Sequence, residues 1–536
     1  MPALDHAGMR GRETLPTERS PEGAADDPQE AGDAHPTTEG TALRGDSLGA
    51  SVLMFMALTA VQRLVGLVRV ILFCRWLTAE QLGVWDLAFG FLMLSAPAAV
   101  LGLPGAFGRY TEHFRRRGQL KRFVRHTAWA TAGLTVAAAT GLILLRPAIA
   151  ELAFGTANHQ DLLWLLAPAM AVVVATNYVT SLLNSLRLVR VVSLVHFVQS
   201  VSFALLASGG LVWVSTTPEC VVVCFAASIL VGVAGAVVWL RKELRRLVET
   251  PAAEPAPLWS KLAPFALWIW LTNWLVNLFD LADRYLIVHV GPWSPQEALA
   301  AVGQYHSARA VPLLFVGLAE LVVGLITPHL AYDWERGRRD LVSVRLNLIL
   351  KLLGLGLVLA STVVLLLGDL LFDVALGGKY NAGRAMLPYA LTFCAWFGLA
   401  NVSLNYLWCA EKARLGSVAM FAGLAGSIVL GGALVPWLGL AGVIIARLVA
   451  NGTALATAVW LACRQGFACQ KSTAVVLALP LLVSLGPWTA LAAVGGLLLT
   501  LPLEHGLFSR EEKQRLATVW STVIRKVLPC TDHESN

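Results

Sequence analysis

Asn273, Asn277, Asp280 and Arg284 are spaced by four, three and four residues. On an α-helix that spacing puts all four on one face. The surrounding sequence is strongly apolar, so a polar face of about three turns must line water or another polar helix. Other charged residues also lie inside apolar runs: Arg63, Arg69, Asp86, Asp283, Arg309, Glu320 and Arg447. Such residues are costly in a bilayer and mostly face a cavity or a partner. Arginine is permanently charged and planar, and its fork of donors fits a phosphate bidentately. The expected anion-binding set is therefore Arg63, Arg69, Arg284, Arg309 and Arg447, with Asn277 and Asp280 on the same polar lining. Asp86, Asp283 and Glu320 are the carboxylates able to carry a coupled ion. Weaker polar stripes occur at Thr59/Gln62/Arg63/Gly66, at Asn177/Thr180/Ser181/Asn184 and at Asn401/Asn405.

Bland readings compete at several of these positions. Arg69 can snorkel to an interface. Arg284 can pair with Asp280 one turn earlier. Arg309 and Arg447 can pair with Glu320 or a backbone carbonyl. Lys351 is near enough to a helix end to snorkel.

The elements that must position these residues are membrane helices. Of 536 residues, 57% are hydrophobic and 14% charged, against about 25% charged in a soluble domain. About 14 apolar runs approach the roughly 20 residues needed to cross a bilayer. They cover 49–73, 82–107, 123–146, 161–184, 190–214, 217–240, 261–290, 298–327, 341–367, 384–408, 413–435, 438–463, 472–486 and 488–503. The last two flank Pro487, where a turn or a kink would serve. This is an all-α polytopic membrane protein, with too little polar sequence left to build a second folded domain.

Basic residues crowd the connections 108–122, 241–260 and 328–340, while the alternate connections carry little beyond Arg75, Arg146, Lys379 and Arg384. The positive side is cytoplasmic, which puts both termini inside. The same bias explains a net charge of +7 without a nucleic-acid partner. The eight cysteines lack metal-site spacing and read as packing residues. No P-loop, paired zinc histidines or nucleophile elbow occurs, so neither an enzyme nor a cofactor is expected.

Residues 1–47 are polar and Pro/Gly-rich and read as a disordered cytoplasmic tail. Residues 509–527 carry a capping box, Ser509 with Glu512, and then an apolar stripe. They read as an amphipathic helix, either in the interface or docked on the bundle.

Two segments about 220 residues apart resemble one another: "LGVWDLAFGF" from Leu82 and "VGQYHSARAV" from Val302. Gly83, Trp85 and Ala88 align with Gly303, Tyr305 and Ala308. Both copies run outside to inside, so they are parallel repeats with a site expected between them.

"RWLTAEQLGVWDLAFGF" (75–91), "GLPGAFGRYTEHFRRRG" (102–118), "LADRYLIVHVG" (281–291) and "AVGQYHSARAVPLL" (301–314) resemble motifs of the bacterial polysaccharide-export flippases. These belong to the multidrug/oligosaccharidyl-lipid/polysaccharide exporter superfamily. The resemblance spans residues 48–508. It implies two six-helix bundles, 48–240 and 261–463, in a V around a central cavity. A cytoplasmic linker (241–260) joins them, two extra helices follow (464–508), and 509–536 forms the amphipathic helix and tail. It further implies a polyprenyl-pyrophosphate-linked glycan as substrate, membrane lipids and polysaccharide-synthesis machinery as partners, and the bacterial inner membrane as location. The lipid II flippases of the same superfamily are the nearest alternative. A cation-coupled multidrug exporter is disfavoured by the arginines of the first half. A membrane enzyme acting on lipid-linked sugars is disfavoured by the short outer connections.

Overall fold

The computed structural model describes residues 48–246, 258–499, 507–508 and 512–513. The N-terminal tail, much of the 241–260 linker and most of 509–536, including Ser509 and Cys530, lie outside the described residues. Every regular element among those described is a helix. The first half of the chain contains α1 (Leu48–Trp76), α2 (Ala79–Ala99), α3 (Phe107–Arg116), α4 (Leu120–Leu144), α5 (Arg146–Phe154), α6 (Leu163–Ser185), α7 (Val189–Trp213) and α8 (Pro218–Arg246). The second contains α9 (Leu258–Val290), α10 (Pro295–Arg309), α11 (Leu313–Glu335), α12 (Arg339–Leu366), α13 (Asn381–Cys409), α14 (Ala413–Leu438) and α15 (Leu440–Arg464). Three short helices follow: α16 (Lys471–Ala478), α17 (Pro480–Val483) and α18 (Pro487–Leu499).

Eleven of the helices are long and apolar enough to cross a membrane. The expected and observed spans differ in number at α9 and the two C-terminal runs, and in their ends elsewhere, for local reasons. The 33-residue α9 carries the charged stripe. The span expected at 298–327 is broken into α10 and α11, because Pro312 lacks an amide hydrogen and disfavours helix at Val311. The two final spans are cut by Pro480 and by Gly486–Pro487, where Gly486 takes φ +123°. The span expected at 82–107 also stops early. Leu101 and Gly102 turn into positive φ ahead of Pro104, and the basic "connection" beyond them is itself helical, as α3.

Lipid offers no hydrophobic drive between helices, so packing relies on close approach, aromatic interlocking and polar contacts. In the first half, Phe73, Trp85, Phe89, Phe203 and Phe225 interlock edge to face, joining α1, α2, α7 and α8. Tyr178 donates to Val124 O at 2.9 Å, tying α6 to α4. In the second half, α13 packs on α11, α12 and α15, and α14 packs on α15 and α9. Large apolar side chains such as Trp129, Leu205 and Val238 are exposed, as a lipid-facing surface requires. Trp213, Trp437 and Trp488 are also exposed. They stand at helix ends that the charge pattern assigns to one side, where an aromatic belt belongs.

One expectation is corrected at α12. Lys351 does not snorkel: its side chain is 0% exposed. Its ammonium donates to both oxygens of Glu512 at 2.9 and 3.1 Å and to Gln470. Glu512 is thus engaged by the bundle, and Leu507 and Phe508 are buried beside it. Of the seven described cysteines, all free, Cys463 is exposed, so packing does not account for it.

Candidate functional site

The two halves of the chain meet where α2 crosses α10 and runs along α9. The crossing is set by glycine. A Cβ added at Gly83 would fall 1.9 Å from Leu299 O, and one added at Gly303 would fall 1.9 Å from Ala79 O. Each glycine touches the residue four positions before the other, the reciprocal contact that a two-fold relation produces. These are the glycines that align between the two repeated segments. Nearby, Tyr380 donates to Cys74 O at 3.0 Å and Lys379 to Arg75 O at 2.7 Å, so the α1–α2 turn is also held by the second half. Gly83→Ala or Gly303→Ala should cost about 1–3 kcal/mol by overpacking and drive α2 and α10 apart. Spin labels at Thr216→Cys and Val374→Cys, with the native cysteines replaced, should then show a longer distance population than the parent.

The close crossing brings a charged cluster into register. Asp86 on α2 is buried and accepts from Arg284 Nε of α9 at 2.6 Å. His306 Nδ1 of α10 lies 2.8 Å from its other oxygen, which places a proton on Nδ1. The aligned positions Asp86 and His306 therefore touch each other. Asp283, also buried, accepts from Tyr305 at 2.6 Å and from Ser427 at 3.2 Å, with Arg447 Nε at 3.3 Å. Asp280 accepts from Arg309 Nη2 at 2.6 Å and from Arg284 Nη1 at 3.4 Å. Arg447 reaches it only at 4.0 Å and instead donates to Phe279 O at 2.6 Å. Three carboxylates, Asp86, Asp280 and Asp283, thus face three guanidiniums, Arg284, Arg309 and Arg447.

The sequence-derived site residues consequently divide into groups. The α9 stripe does share a face: Asn273 and Asp280 are exposed, Asn277 is partly so, and Arg284 is buried beyond them. Arg284, Arg309 and Arg447 do not line the surface as free cations; carboxylates of α2 and α9 neutralise them. Neither Arg309 nor Arg447 pairs with Glu320. Glu320 of α11 pairs instead with Arg63 of α1 at 2.5 Å, across the two halves, with both side chains half-exposed. Arg69 stands apart from the cluster. It lies over the Phe203 ring at 4.3 Å, and its Nε makes no hydrogen bond within the protein. Asn405 accepts from Thr327 at 2.6 Å and joins α13 to α11. Thr180 donates to Thr176 O at 2.9 Å, so it serves its own helix.

His306, Tyr305 and Ser427 were absent from the expected set. Ser427 carries no signal in isolation, since lone polar residues are frequent in such helices. His306 carried one: it occupies the repeat position of Asp86.

No family model and no curated protein matches this chain. Solved structures do. The chain is similar to lipid II flippase MurJ in an inward closed conformation, with TM-score 0.65 and 13% identity over 88% of this chain and 99% of that one. It is also similar to a multidrug resistance MATE family transporter of the MOP superfamily in an inward-facing conformation, with TM-score 0.57 and 12% identity over 79% and 98%. A MOP superfamily transporter from Pyrococcus furiosus gives TM-score 0.55 and 14% identity over 79% and 96%. The chain therefore has the all-helical, polytopic fold of the MOP-superfamily membrane transporters.

Proposed function

We propose that this protein is a flippase for polyprenyl-pyrophosphate-linked oligosaccharide, carrying it from the cytoplasmic to the outer leaflet of the bacterial inner membrane for cell-surface polysaccharide assembly. Both termini face the cytoplasm, and movement is by alternating access of the two halves. The carrying observation is the composition of the seam between the halves. It is made of ion pairs, among them Arg63–Glu320 and Asp86–Arg284, and of a glycine-mediated crossing. Such contacts re-form in discrete alternatives, which suits rigid-body rocking. The half-exposed Arg63 offers a guanidinium where a pyrophosphate would pass between the halves. Asn273 and Asn277 on the α9 face suit sugar hydroxyls. Coupling through Asp86 or Asp283 draws support from their burial beside His306 and Arg447.

A second reading has its own support: the neighbour at TM-score 0.65 is a lipid II flippase. Lipid II presents the same pyrophosphate to the same arginines. A cation-coupled multidrug exporter is the third, since MATE transporters are also structural neighbours.

Proteoliposomes separate the three. Labelled polyprenyl-pyrophosphate oligosaccharide, lipid II and a cationic dye would be compared for wild type and Arg63→Ala. Movement of the oligosaccharide lipid is expected. Loss of the guanidinium–phosphate contact, worth about 1.5–3 kcal/mol, should slow it by roughly tenfold or more. Movement of lipid II alone, or of dye alone, would reassign the substrate.

A further inference from the structure

Asp280 differs from the other two carboxylates of the cluster. The side chains of Asp86 and Asp283 are 2% and 1% exposed, whereas that of Asp280 is 54% exposed. The guanidiniums facing it are enclosed: Arg284 at 7%, Arg309 and Arg447 at 4%. The usual surface ion pair is thus inverted, with the long cationic side chains fixed inside and the short anion on the open side. Donors are in surplus there. Arg309 Nε and Nη1 make no hydrogen bond within the protein. Only Arg309 holds Asp280 at a short distance, 2.6 Å; Arg284 and Arg447 stand at 3.4 and 4.0 Å. Arg284 and Arg447 keep partners of their own, Asp86 and Asp283, so the exposed Asp280 is held closely by Arg309 alone. A tetrahedral phosphate, with more oxygens and more charge, matches three such forks better.

We propose that Arg284, Arg309 and Arg447 form a phosphate-binding nest and that Asp280 is its built-in, displaceable counter-ion. This rests on the pyrophosphate reading above and deepens it. An arriving phosphate takes the place of the Asp280 carboxylate over the three guanidiniums, and Asp280 swings toward the open side. When the phosphate leaves, Asp280 returns. The nest is never bare, so the large cost of an unpaired buried charge is avoided in both states. The carboxylate competes with the ligand, which weakens binding and hastens release, as a carrier requires.

The test uses the full chain in nanodiscs of zwitterionic lipid. Wild type, Asp280→Asn and Asp280→Asn/Arg309→Gln are titrated with inorganic pyrophosphate and with geranylgeranyl pyrophosphate, read by calorimetry and by thermal stabilisation. Asp280→Asn should bind about tenfold more tightly or better, the range of one charge-assisted contact, and the added Arg309→Gln should erase the gain. A gain for both probes marks phosphate as the recognised group. A gain for the lipid probe alone marks a lipid headgroup seated by its chain. Folded Asp280→Asn that binds neither probe more tightly overturns the proposal. Should this variant fold poorly, recovery of folded protein in millimolar pyrophosphate supports displacement, and failure to recover overturns it. If wild type moves the oligosaccharide lipid while Asp280→Asn gains nothing, the counter-ion role falls and the flippase reading stands. Tighter pyrophosphate binding without lipid movement has the opposite meaning.

Discussion

Asp86→Ala should strip the folded protein of about 3–5 kcal/mol, the range for breaking a buried ion pair by removing one partner. Arg284 Nε would lose its 2.6 Å acceptor and His306 Nδ1 its 2.8 Å contact. Asp280 is too distant from Arg284, at 3.4 Å, to make good the loss without abandoning Arg309. The penalty comes from an enclosed guanidinium left with only the longer 3.4 Å pairing to Asp280, more than from any net attraction of the pair. It follows that removing both partners should be far milder than removing one. Asp86→Leu with Arg284→Met replaces the pair by apolar groups and should recover most of the stability. Thermal unfolding in detergent of Asp86→Leu, Arg284→Met and the double variant gives the coupling directly. A loss in the double variant equal to the sum of the two single losses would show that the pair is not coupled and that the seam draws its strength from packing alone.

Glu512→Gln should have a comparable effect at the far end of the chain. Lys351 is fully enclosed, and Glu512 is its carboxylate partner at 2.9 Å. A neutral amide accepts one hydrogen bond from the ammonium but leaves its charge uncompensated, at a cost of about 3–5 kcal/mol. Gln470 and Phe508 already contact the ammonium and cannot replace a charge. The loss should be local at first, because Glu512 fastens the segment after α18 to α12. Limited proteolysis should therefore cut near residues 507–513 sooner in Glu512→Gln than in wild type, alongside a fall in melting temperature. Lys351→Met with Glu512→Leu should restore both readouts. Unchanged cleavage and melting in Glu512→Gln would mean that the segment is held by Leu507 and Phe508 instead.

The helices and the membrane class were legible because they rest on local properties. Apolar run length, the rise of a helix and the cost of bare backbone in lipid leave only one economical solution for this chain. The same-face placement of Asn273, Asn277, Asp280 and Arg284 follows from helical periodicity alone. The repeat also pointed at residues that turned out to matter, since Gly83 and Gly303 form the crossing. Helix ends were less legible: Pro312 and Pro487 were visible, but only the packed chain showed a break at the first and three short helices around the second.

Partner choice was not legible. Arg63 found Glu320, and Arg284 found Asp86 across 198 residues of chain. Lys351 found Glu512 across 161. The sequence lists charges and the helical faces they occupy. It does not state which faces meet, because a carboxylate two hundred residues away is indistinguishable from one that never comes near. By itself, then, the sequence determined a many-helix membrane bundle with arginines and carboxylates set inside its spans. The tertiary structure decided that three of those arginines are neutralised and enclosed while Arg63 and Asp280 remain half-exposed. The physical reason is that charge pairing in a low-dielectric interior depends on separations of a few ångströms, and glycine at two crossing positions sets those separations.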